Sequence, residues 1–402
     1  MPHASRETTG RWWTEKSTKS DILHHVNSPI LSTRLFALDG LRVFAVIAVF
    51  VFHAYQDRML GGEVGVDVFF VLSGFVITLL LLREWTATRR IRFGRFYLLR
   101  LARLWPALLA MCAAVAVIAI FRHDLLYRNG AWDALWGATY VENIVRAATP
   151  IDGLTASPIG HTWTLGVEEQ FYLVWPILLV VLLRWLSLRS AAVVTAALSL
   201  VPLGMRILLW HGGLGANRVT NGLDTRADQL LFGCALALVL VGWPSLARWF
   251  QRISRFLMWP ALAALAWIAL FYPYRTLDPA GLAYHHRFGF VVTGLLAAVV
   301  ICGLATNPAS PLTRGLSVRW LSWPGRNLSY GFYLWHYPVL GMIPALAGPQ
   351  IVRVGLAFLI TTALALLSWR FVERPIRAWA HARLDARAAL AAGRPSPEVQ
   401  SA

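Results

Sequence analysis

From Leu38 to Phe371 the chain runs through one apolar stretch after another, each about twenty residues long, the length a helix needs to cross a bilayer. We place ten spans at 38–58, 64–83, 104–121, 166–186, 190–210, 227–243, 256–272, 287–305, 327–346 and 351–370. The predicted class is therefore an all-α polytopic membrane protein, a bundle of ten transmembrane helices. Composition agrees: 57% of the 402 residues are hydrophobic and 14% charged, where a soluble protein carries roughly a quarter charged residues. The net charge of +17 invites a nucleic-acid reading, but the 19 Trp and 20 Phe spread through apolar spans argue against nucleic acid and for the lipid bilayer.

Charge then orients the spans. "REWTATRRIRFGRFYLLRLAR", Arg184 with Arg189, "RWFQRISR", Arg314 with Arg319 and Arg326, and the arginines after 371 all fall on the side of both termini. That side is assigned to the cytoplasm of a cell (inner or plasma) membrane. Residues 1–33 read as a polar cytoplasmic segment without the apolar core of a cleavable signal. Residues 34–380 form the membrane domain, and 381–402, ending "AAGRPSPEVQSA", a disordered cytoplasmic tail. The long connection 122–165 is an outside loop or a partly re-entrant segment. Cys112, Cys234 and Cys302 lie in apolar spans without motif spacing and read as small buried hydrophobes; no metal site is expected.

The first span carries two ionisable groups within "GLRVFAVIAVFVFHAY", Arg42 and His53. Eleven residues apart, they leave a helix about 20° from each other and about 16 Å apart along its axis. Ionisable groups at such depth usually face a bundle interior or a wet cavity. The second span follows after a short connection, so Asp67 comes to a depth similar to His53. There it either pairs with the imidazole, fixing the tautomer and leaving the other nitrogen as a general base, or caps its own helix. Ser73 and Gly74 permit close helix packing deeper in that span. Arg100 and Arg103, at i, i+3, form a fork suited to phosphates, or else follow the positive-inside bias. A phosphate reader inside with a candidate base roughly 16 Å deeper matches an acyl-CoA reaching inward on its extended pantetheine arm.

At this point the chain resembles the membrane-bound acyltransferase-3 family. The likeness rests on "LDGLRVFAVIAVFVFHA" (38–54), "GGEVGVDVFFVLSGFVIT" (61–78), "RFYLLRLARLWPALL" (95–109), "HTWTLGVEEQFYLVWP" (161–176), "LSYGFYLWHYPV" (328–339) and "FVERPIR" (371–377). It implies a ten-helix bundle that moves an acyl group, acetyl foremost, from acyl-CoA to a hydroxyl of an envelope saccharide or a small secreted metabolite such as a macrolide. The family's arginine–histidine pair corresponds to Arg42 and His53, its paired arginines to Arg100 and Arg103, and its serine–glycine–phenylalanine motif to Ser73, Gly74 and Phe75. "TWTLGVEEQFY" departs from the usual "SLSVEEQFY" at Thr164 and Gly166, which puts acceptor contacts in doubt.

The candidate catalytic set is His53, Asp67 and one of Glu168 or Glu169, since adjacent helical residues point about 100° apart and only one should face the cavity. Arg42, Arg100, Arg103 and Ser73 are the candidate acyl-CoA ligands. Tyr333, His336 and Trp163 are candidate acceptor contacts, with a structural role for His336 as the alternative. Glu373 is expected to pair with an arginine, and Arg374 and Arg377 to be topological. No permanently bound cofactor is expected; acyl-CoA, chiefly acetyl-CoA, is a co-substrate. Direct transfer and an acyl-imidazole intermediate both fit. The rival class is a ten-span transporter or flippase without covalent chemistry.

Overall fold

The computed structural model describes residues 29–55, 61–122, 124–149, 157–210, 215–272, 278–343 and 348–391. All regular structure among them is helical. Eight long apolar helices come first: α1 (Phe36–Ala54), α2 (Val64–Thr88), α3 (Phe93–Phe121), α4 (Gly160–Trp185), α5 (Leu188–Leu209), α6 (Ala216–Gly242), α7 (Pro244–Phe271) and α8 (Pro279–Thr306). A 14-residue helix, α9 (Ser329–Met342), stands where the sequence predicts a full span over 327–346. The last long helix is α10 (Gln350–Arg387). Nine of the ten are thus long and apolar enough to cross a membrane among the described residues.

Four helices begin well before their predicted spans, α6 at Ala216 and α8 at Pro279 among them. The other two, α3 and α7, do so because arginine stems are good helix formers whose charged ends can reach out from the helix. α3 starts at Phe93, so Arg100 and Arg103 lie inside it; α7 starts at Pro244 and takes in "RWFQRISR". α10 passes through a π-helical turn at Trp369–Glu373, and the helix runs on beyond the apolar span's end at Arg387 to Ala391. The segment from 381 therefore begins as helix, and 392–402 lie outside the described residues.

α2 and α6 are buried along most of their length, whereas α3, α5, α7 and α10 turn most of their apolar surface outward. The two central helices approach through reciprocal glycines. A Cβ on Gly74 would collide with the Leu230 carbonyl, and one on Gly233 with the Val71 carbonyl. Small residues at a crossing let backbones come together where lipid gives no hydrophobic incentive. The α1–α2 hairpin closes the same way, with Gly62 against Ala48 and Gly65 against Ala45.

Between α3 and α4 lie two short helices, Gly130–Ala138 and Glu142–Ala148. Gln170 fastens them to α4 by bonding Asn143 and the Tyr140 carbonyl. Both helices carry a buried acid. Burial pushes Asp133 up to about 6, against a bond from Ser157 and the Arg146 charge. Burial pushes Glu142 up to about 7, against Arg146 at 3.3 Å. Both folded values lie above the unfolded ones, so the stability contributed by the neutral acids is full below about pH 4. It is lost as pH rises through about 6 and about 7. Amide exchange over 130–148, corrected for its intrinsic pH dependence, is expected to be slower at pH 5 than at pH 8. Equal protection at the two pH values would show that these acids do not titrate in that window.

Candidate active site

Two cavities lie back to back in the bundle. The first, about 340 Å³, is lined by Arg42 of α1, Ser73 of α2, Arg100 and Arg103 of α3, and Glu168 and Glu169 of α4. Tyr330 of α9 and Arg377 and His381 of α10 complete its polar wall. Arg42 bonds Asp39 one turn earlier at 2.8 Å. Arg100 is held by Glu169, Nη2 to Oε1 at 2.6 Å with Nε bonding both oxygens, and its guanidinium stacks 3.3 Å from the centre of the Tyr172 ring. Ser73 donates to Glu168 at 2.7 Å. Arg103 forms no ion pair with a carboxylate among the described residues. It is surrounded by the like charges of Arg42, Arg377 and Arg100. An anion supplied from outside the chain would meet those charges there.

The second cavity, about 230 Å³, is lined by His53 and Glu63, His161 and Trp163, and Asn217 and Thr220. His53 is oriented by a chain of bonds through α9. The Tyr333 carbonyl can only accept, so His336 Nδ1, 2.5 Å away, carries a proton. Nε2 of a neutral His336 is then an acceptor, and His53 Nδ1 donates to it at 3.1 Å. That assigns the lone pair of His53 to Nε2, the arrangement a general base requires. The ring also meets Tyr337 edge-on, with centroids 4.8 Å apart. Pro338 also lies inside α9; without an N–H it leaves the Leu334 carbonyl, four residues before it, without its helical donor.

Three residues line both cavities: Val66, Thr164 and Tyr333. The Thr164 and Tyr333 hydroxyls are 2.6 Å apart, and each reaches the His161 carbonyl, at 3.2 and 2.9 Å. Arg42 and His53 thus open into different cavities, on either side of this seam.

Several sequence-based expectations are corrected. Asp67 does not orient His53: it is paired with Arg226 of α6 at 2.7 Å and accepts from Thr293 of α8 at 2.6 Å. The guanidinium that α6 brings in is a stronger partner for a buried carboxylate than a neutral imidazole. Glu168 and Glu169 both face a cavity, the arginine one and not that of His53. The cavity wraps around α4, so one glutamate reaches Ser73 on α2 and the other Arg100 on α3. Arg100 is consequently spoken for, so Arg100 and Arg103 do not form the free fork expected of them. His336 is fully buried and lines neither cavity; it positions His53. Glu373 is buried and accepts from Ser368, with the Arg377 and Arg103 charges acting on it but no arginine in ion-pair contact with it among the described residues. Ser73, Arg42 and Arg103 line the arginine cavity and Trp163 the histidine cavity, while Tyr333 serves both.

An acyltransferase domain family, acyltransferase 3, matches residues 35–370. The chain belongs to this family. Peptidoglycan O-acetyltransferase OatA of Listeria monocytogenes is 35% identical over 354 residues, covering 85% of this chain and 55% of that protein. O-acetyltransferase OatA of Staphylococcus aureus is 33% identical over 348 residues, covering 85% and 57%. The chain therefore spans little more than half the length of these curated relatives. No solved structure matches it. Family membership favours an acyltransferase over a transporter.

Within this acyltransferase domain, sequence reasoning missed Arg226, His161, Arg377 and His381. The last two had a local signal: at i, i+4 in "FVERPIRAWAH" they share a helix face. Arg226 and His161 had no such signal, since the partners that place them, Asp67 for Arg226 and the Tyr333 and His336 rings for His161, stand on other helices. Of the two departures in the fourth motif, Gly166 packs where a Cβ would collide with Asn143, and Thr164 stands in the seam between the cavities.

Proposed function

We propose that this domain is an integral-membrane O-acyltransferase that draws its acyl group from acyl-CoA in the arginine cavity and delivers it to a hydroxyl acceptor in the histidine cavity. The observation that carries this is the pair of cavities meeting at one thin wall, cationic on one side and bearing an oriented imidazole on the other. The arginine cavity faces the cytoplasm, where acyl-CoA is made, with the phosphates held by Arg103, Arg377 and His381. The roughly 16 Å of α1 between Arg42 and His53 suits an extended pantetheine arm ending in the thioester.

The chemistry is acyl transfer with a general base. His53 Nε2 takes the acceptor proton as the oxygen adds to the thioester carbonyl. The tetrahedral adduct expels CoA thiolate, which recovers the proton from His53, giving ester and free CoA thiol. The names of the relatives favour an acetyl group and a cell-envelope saccharide. Trp163 offers that saccharide an aromatic face, and Asn217 and Thr220 offer polar groups.

The test is release of CoA thiol from acetyl-CoA by the purified protein in nanodiscs, with and without soluble glycan fragments. Arg103→Gln is expected to raise KM for acetyl-CoA by about tenfold or more, the worth of one charge-assisted bond. The variant should discriminate less than wild type between acetyl-CoA and its dephospho form. An Arg103→Gln protein with unchanged KM would move the phosphate site elsewhere, and a wild-type protein that never consumes the thioester would end the acyl-CoA reading.

A further inference from the structure

We infer that Tyr333 is a catalytic residue: its phenol, backed by Thr164, closes the seam between the two cavities and, as the acyl end of the donor arrives, turns to donate to the carbonyl oxygen under attack. This rests on the acyl-CoA reading above.

The placement follows from where reactants can meet. A thioester arriving from the arginine cavity and an acceptor activated by His53 come together only at the wall both cavities share. Of its three residues Val66 is apolar, which leaves the hydroxyls of Thr164 and Tyr333 as the side-chain donors facing both sides. An oxyanion forming there needs a donor already in place.

The proton count shows that one is available. Two hydroxyl protons serve three contacts: Thr164 with Tyr333, Thr164 with the His161 carbonyl, and Tyr333 with the same carbonyl. Each hydroxyl donates once, so only two of the three bonds exist at any moment. If Tyr333 turns its proton to the thioester oxygen, Thr164 keeps the His161 carbonyl satisfied and no buried acceptor is stranded. Breaking the Thr164–Tyr333 bond also opens the wall, so passage and activation become one movement. Tyr333 further fixes the base, because its own carbonyl holds His336, which in turn holds His53. Oxyanion donor and base are then set by opposite ends of a single residue.

In the step itself the acceptor oxygen bonds the carbonyl carbon and its proton passes to His53 Nε2. The carbonyl electron pair becomes an oxyanion bonded by the Tyr333 hydroxyl, which keeps its proton. Collapse breaks the carbon–sulfur bond, and the thiolate takes the proton from His53.

The experiment compares wild type with Tyr333→Phe and Thr164→Val in nanodiscs. It reads kcat, KM for acetyl-CoA, binding of a non-reactive thioether analogue, and melting temperature. Tyr333→Phe is expected to lower kcat about 10²-fold, the effect of removing one oxyanion donor, with analogue binding and melting temperature near wild type. Thr164→Val pins the phenol to the His161 carbonyl and is expected to lower kcat about tenfold with binding unchanged, a smaller effect because the donor remains. Wild-type kcat in Tyr333→Phe would overturn the inference. So would loss of analogue binding in step with kcat, which would make the residue a structural wall; the acyl-CoA reading would survive either result. If wild type consumes no thioester while both variants fold, the acyl-CoA reading fails and takes this inference with it.

Discussion

Replacing His53 with alanine is expected to lower kcat by about 10²–10⁴-fold while acetyl-CoA binding persists, because a general base contributes on that order. The proposed base lies in the histidine cavity and the arginines proposed to read the phosphates in the other, so binding and chemistry should separate in this variant. His336→Ala should also impair kcat, but less, since it removes the acceptor that holds His53 Nδ1 and leaves Nε2 intact. A partial loss in His336→Ala with a near-complete loss in His53→Ala is the signature of base and positioning residue. Single-turnover transfer of labelled acetyl to a glycan fragment measures both. Unchanged turnover in His53→Ala would remove the proposed base, and a His336→Ala protein inactive to the same degree would mean that the two rings act as one unit.

Arg226→Ala is expected to destabilise the bundle more than any other single change considered. Its guanidinium is fully buried, bonds Asp67 and Gln229, and stands 3.6 Å from the centre of the Phe290 ring, with Phe70 and Trp163 farther off. Removing it strands the Asp67 carboxylate in the interior with only the neutral donors Thr293 and Gln229 beside it among the described residues. Breaking a buried pair on one side typically costs about 3–5 kcal/mol, whereas replacing both members with packed apolar groups is often neutral. Arg226→Ala and Asp67→Asn should therefore each lower the melting temperature in detergent markedly, and Arg226→Met with Asp67→Leu should recover much of the loss. Additive losses in the double variant would show that the two residues stabilise the fold independently. Because Trp163 packs beside Arg226 and lines the histidine cavity, the single variants should weaken acceptor binding as well.

The extent to which sequence fixed each feature follows the range of the interaction behind it. The spans could be read because crossing lipid demands a stretch of fixed length and polarity, a property of the local chain. The arginine stems blurred the boundaries, since they are compatible with helix on either side of the interface, and α3 and α7 accordingly start well before their apolar stretches. Arg42 and His53 could be singled out because an ionisable group inside such a stretch is costly wherever its neighbours lie. Helical periodicity states which way a side chain leaves its own axis, but not which helix stands opposite. Asp67 was equally consistent with His53 beside it or with a partner on α6, and tertiary packing supplied Arg226. The same holds for the two glutamates: about 100° of separation sends them apart, yet a cavity that bends around α4 collects both.

The sequence alone determined that this chain is a helical membrane domain with polar groups carried deep into its first two spans, because length, hydropathy and charge alternation are local quantities. Only the tertiary structure decided that those groups serve two cavities rather than one, that His336 and not Asp67 bonds His53, and that Thr164 and Tyr333 stand between the cavities. Those outcomes depend on which helix faces arrive opposite one another, and that is set by the small-residue crossings of α2 with α6 and of α1 with α2 acting across the whole bundle.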